Sequence, residues 1–88
     1  MSQFCWALEI VDEQSGDTIW DCVTEAPTRE CAVELHLETI CSLGLVGTVP
    51  VLVTRISGLC LHKPLSRPWP ILVDTKRKEV SKPKANTR

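Results

Sequence analysis

The chain has 88 residues, 43% of them hydrophobic and 24% charged, with a formal net charge of −1. That length and composition allow one small globular domain and exclude wholesale disorder. No apolar run approaches the roughly 20 residues that cross a bilayer, so a membrane partner is not expected.

The opening MSQFCWALEI has no base before its apolar stretch, and no cleavage site follows. The expectation is no signal peptide and a cytoplasmic address. Phe4 to Val11 alternates, with Phe4, Trp6, Leu8 and Ile10 on one side and Cys5, Ala7, Glu9 and Val11 on the other. Period two predicts a half-buried strand. Asp12 to Asp17 is polar and contains Gly16, a turn residue. Thr18 to Ala26 alternates again, with Trp20, Cys22, Thr24 and Ala26 sharing a face. The two runs predict a β-hairpin. Pro27-Thr28 then stops the strand and supplies an N-cap, which predicts one helix from Arg29 to Leu43 ending at Gly44. Its buried stripe is Val33, Leu37, Ile40 and Cys41, laid over the hairpin face that carries Trp6 and Trp20.

Val49 to Ile56 is rich in β-branched residues and predicts a third strand. A turn at Ser57-Gly58 leads to a short strand, Leu59 to His62. Lys63 to Pro70 has prolines at 64, 68 and 70 and must be loop or edge. Ile71 to Val73 is a last short strand. Residues 76–88 have six bases and one apolar side chain larger than Ala, which predicts a basic tail beyond a domain of residues 1–75. The fold class is α+β, an antiparallel sheet of four or five strands with one helix on one face, in the order β-β-α-β-β-β.

The net charge conceals a polarity along the chain. Residues 1–40 hold nine acids and one base, a balance of −8; residues 41–88 hold nine bases and two acids, a balance of +7. Such asymmetry points to a charged partner or to mutual neutralisation of the two halves. On the predicted helix, Glu30, Glu34 and Glu38 are four apart and line one side. The predicted outer face of the hairpin adds Glu9, Asp21 and Glu25, interleaved with Cys5, Ala7, Val11, Ile19 and Val23. A surface of carboxylates and aliphatics suits a basic protein groove and opposes direct contact with nucleic acid by the folded domain. Trp69, held between prolines after Arg67, is a further candidate partner-binding residue, since Trp and Arg are enriched at interface hot spots. The six bases of the tail supply the alternative, a small regulator that binds nucleic acid through residues 76–88.

Other chemistry finds little support. The five cysteines, at 5, 22, 31, 41 and 60, form no Cys-x-x-Cys pair, so neither a disulfide framework nor a zinc site with His36 or His62 is expected. No nucleophile motif and no Gly-rich phosphate loop occurs, which predicts no enzyme and no cofactor.

Several features together resemble small phage-encoded inhibitors of bacterial defence, among them type I anti-CRISPR proteins. They are the hairpin ending in Thr24-Glu25-Ala26, the single amphipathic helix, Gly47-Thr48-Val49 opening the next strand, and Ser57-Gly58-Leu59-Cys60-Leu61. The proline-rich loop and the basic tail depart from that pattern. The resemblance implies a non-enzymatic protein in the host cytoplasm. It would dock on a nucleoprotein defence complex, through a basic groove, and block nucleic-acid access or nuclease recruitment. A homodimer is compatible with the same features.

Overall fold

The computed structural model describes residues 3–60 and 63–80. It is a small α+β fold with a five-stranded antiparallel sheet and two short helices. The strands are β1 (Phe4–Val11), β2 (Thr18–Ala26), β3 (Thr48–Ile56), β4 (Trp69–Asp74) and β5 (Glu79–Val80). The helices are α1 (Arg29–Glu34) and α2 (Leu37–Cys41). Sheet order is β2-β1-β3-β4-β5.

The hairpin follows its alternation. β1 and β2 pair from Phe4↔Ala26 to Ile10↔Trp20, and a bulge then sets Val11 opposite Thr18. The loop closes through Asp12, whose carboxylate accepts from the Gln14 N–H at 2.8 Å, with Gly16 at φ 79°. An Asx turn followed by a residue free to take positive φ reverses the chain at little cost.

Both helices pack on one face of the sheet. Trp6, Leu8 and Ile10 of β1, Val49, Val51 and Val53 of β3, and Ile71 and Val73 of β4 meet Ala32, Val33 and Ile40 in a closed core. Trp6 anchors it, its indole N–H donating to the Ala26 carbonyl at 2.8 Å. The expected stripe is therefore the one that packs, but not on one continuous helix. Thr28 caps α1 by accepting from the Cys31 N–H at 3.1 Å. The chain then tightens at Leu35 and His36, where the His36 N–H bonds to the Val33 carbonyl. The His36 ring lies 5.9 Å from that of Trp20. α2 restarts beyond it, so the element order is β-β-α-α-β-β-β.

The second half corrects the expected order in three places. Leu59 and Cys60 form a turn rather than the start of a strand, and Leu61 and His62 lie outside the described residues. Trp69 and Pro70 belong to β4 rather than to a loop. Pro70 is tolerated because β5 pairs only with Val73 and Asp74, so β4 has one partner where the proline sits. Glu79–Val80, read above as part of the tail, forms β5, and Val80 is buried against the core. Residues 81–88 lie outside the described residues.

Candidate protein-docking surface

Among the described residues, no helix covers the other face of the sheet. By register, Cys5, Ala7 and Glu9 of β1 share that face with Asp21, Val23 and Glu25 of β2 and with Leu52, Thr54 and Ile56 of β3. β4 extends the sheet at the edge of β3 instead of folding back across it. Ile56 is closed off locally: Pro64 bridges to it, and the Leu65 N–H bonds to the Arg55 carbonyl beside it.

Three of the six carboxylates identified from the sequence meet on this face. Glu9 stands directly opposite Asp21 across the β1–β2 ladder, and Glu25 lies two outward steps further along β2, beyond Val23. The Thr18 hydroxyl donates to Glu9 Oε2 at 2.7 Å. Ala7, Glu9, Asp21 and Val23 line a shallow groove of about 420 Å³. Like charges opposed across a ladder repel, so this pairing costs stability rather than adding it. The one ion pair among the described residues joins the exposed Arg77 and Glu79 at 4.0 Å. Among the described residues, none of the six carboxylates has a cation within that distance.

The helix carboxylates divide between the two helices. Glu34, on α1, shares a second groove of about 360 Å³ with Gln3, Glu25, Cys31 and Leu35. Through Glu25 this groove adjoins the sheet's outer face. Leu35 is 64% exposed there, an apolar side chain between acids. Glu38, on α2, lines a further groove with Lys78, and Glu34 and Leu35 line that groove too. Glu34 and Glu38 thus stay side by side although the turn at Leu35 and His36 puts them on different helices. Glu30 remains in the first turn of α1, where a carboxylate suits the helix dipole.

Trp69 is not part of this surface. It lies on the helix side of β4, opposite Val53 and three strands away from β2. It is 58% exposed, with the Arg29 guanidinium carbon 5.6 Å from its ring centroid. That same carbon is 5.4 Å from the Trp6 centroid. Trp6 and Phe4 meet edge to face, and Arg55 sits 4.0 Å over Phe4. Arg29 Nε is enclosed in this stack without a hydrogen-bond partner. One sign of the stack is present in the sequence. Arg29 is the only base among the first 40 residues, and it stands at a helix start, where the dipole opposes a cation. Aromatic faces are what hold it there.

The free cysteines include Cys22, whose thiol is pushed up to about 11 by burial, with the Asp21 carboxylate adding to the rise. Such a thiol is protonated near neutrality and is a poor nucleophile. Among the described residues, no group of three His, Cys, Asp or Glu side chains is placed to hold a metal ion. Among them, too, no helix is long and apolar enough to cross a membrane. No family model, curated protein or solved structure matches this chain.

Proposed function

We propose that this protein is a non-enzymatic binding protein that docks its acidic β2 side onto a basic surface of a host nucleoprotein complex and blocks access to it. The observation that carries the proposal is the convergence of Glu9, Asp21, Glu25 and Glu34 around β2, with no cation among the described residues within ion-pair distance of any of them. Two of these carboxylates are held opposite one another at a cost to folding, which is expected of groups kept for a partner. Val23, Ala7 and Leu35 stand among them and supply apolar area for burial. Complementary charge would speed encounter and fix orientation, while desolvated aliphatics would hold the complex.

The test compares the wild-type protein with the triple variant Asp21→Lys/Glu25→Lys/Glu34→Lys as baits in a bacterial lysate. Wild type is expected to capture a basic protein complex at low salt and to lose it as salt rises. The variant, folded by circular dichroism, is expected to capture none of it. The same complex captured equally by both baits would overturn the proposal.

A further inference from the structure

β2 forms one border of the sheet, with β1 on one side and no strand among the described residues on the other. The opposite border ends in β5, only two residues long. Open edges offer a row of unpaired N–H and C=O groups, and proteins blunt them with short strands, bulges, lysines or prolines. β2 has nine residues and neither Lys nor Pro. Its bulge lies at the Thr18 end, so the ladder is regular from Trp20 to Ala26.

The core is also unfinished along this strand. Trp6, Leu8 and Ile10 are closed on β1, whereas Trp20, Cys22 and Thr24, on the same face of β2, are only half-buried. Exposed apolar side chains stand near both ends of the strand, Ile19 at one and Leu35 at the other. On the outer face, the side chains of the regular stretch are Asp21, Val23 and Glu25.

We propose that β2 is a strand-addition site, at which an extended segment of a basic partner continues the sheet. The inference rests on the acidic-face docking proposed above and specifies how it occurs. The segment would pair its backbone with the free edge of β2. Its alternate Lys or Arg side chains would meet Asp21 and Glu25, and the apolar side chains between them would close over Cys22 and Trp20. Charge selects this occupant over a second copy of the chain. Two β2 strands paired antiparallel, outer faces on the same side, would gather the Asp21 and Glu25 of both copies on one face. In the register centred on Val23, Asp21 would directly oppose Glu25 of the second copy.

The probe is a blocked octapeptide of alternating lysine and valine, set against the same peptide N-methylated at every residue, which keeps the charges and removes the backbone donors. Amide exchange and Cys22 alkylation are followed on the full chain at low salt. The unmethylated peptide is expected to slow exchange along Thr18–Ala26 and to slow Cys22 alkylation. The methylated peptide should bind at least tenfold more weakly, as should the unmethylated peptide to Asp21→Lys/Glu25→Lys protein. Equal binding of both peptides, with shifts spread over Glu9, Asp21, Glu25 and Glu34, would overturn strand addition and leave charge-led docking standing. Protection of β2 that grows with protein concentration alone would also overturn it, by making a second copy the occupant. Failure of both peptides to bind would overturn it too, while the lysate comparison decides the docking proposal separately.

Discussion

Cys22 is the residue at which burial and charge act together. Its thiol lies on the helix-side row of β2 and is followed and preceded by outward-pointing neighbours, of which Asp21 is the charged one. Burial disfavours the thiolate most and Asp21 disfavours it further, which holds the group near 11 against an ordinary 9.0. Between those values the unfolded chain releases a proton that the fold retains, so stability falls as pH rises through that window. It is unaffected by this group below about pH 8. Thermal melts at stepped alkaline pH should show the decline, and Cys22→Ser should flatten it. In competitive alkylation at pH 8.5, the exposed Cys60 should react well before Cys22. Asp21→Asn should speed Cys22 and leave Cys60 unchanged. Equal rates for the two thiols in the wild-type protein would contradict the packing of β2 described above.

At the scale of elements, the smallest strand has a measurable role. Val80 contributes the one buried side chain of β5 and packs into the core beside its ladder partner Val73. Val80→Ala removes two buried carbons and should cost about 1.5 kcal/mol, at roughly 0.8 per methylene. Thr28→Ala should cost about 1 kcal/mol by leaving the Cys31 N–H at the start of α1 without its acceptor. Chemical denaturation measures both, and a neutral Val80→Ala would mean that β5 does not pack. These elements also show what local pattern can and cannot reveal. β1 and β2 were legible to the residue because strict alternation brackets a polar, Gly-containing loop. The helical stripe was legible, yet the turn at Leu35 and His36 was not, since no Gly or Pro marks it and its visible correlate is a tertiary contact, His36 on Trp20. β4 begins two residues before the strand expected from the sequence, where Pro70 argues locally against pairing. Only the sheet order reveals that β4 has a single partner at that point. β5 is two residues among bases and carries no periodic signal at all. The acids of the candidate surface were legible as composition and spacing. That Glu34 lines one groove with Glu25 and another with Glu38 and Lys78 depends on where α1 packs, which no spacing encodes.

For the whole molecule, the charge polarity of the chain survives folding. The acid-rich half forms β1, β2 and both helices up to Ile40, and the base-rich half forms the other strands. If the halves neutralised each other through direct contacts, ion pairs would join them. The described residues hold one pair, and both its members come from the base-rich half. The carboxylates around β2 therefore have no ion-pair partner among the described residues. Relieving the directly opposed pair with Glu9→Gln should raise stability by a few tenths of a kcal/mol, the scale of a cross-strand charge pair. It sacrifices the bond from Thr18 to a charged acceptor, which limits the gain. Adding Glu25→Gln and Glu34→Gln should not lower the melting temperature, and the triple variant should melt with less dependence on salt than wild type. Binding should move the other way. With fewer carboxylates to steer encounter, the captured complex should associate more slowly, and the difference should shrink as ionic strength rises. A gain in stability coupled to a loss in on-rate is what separates a surface kept for a partner from one that only solvates the fold. If the triple variant were more stable and associated at the wild-type rate at low salt, the acidic side of β2 would be ordinary solvated surface, and the docking proposal would fall with it.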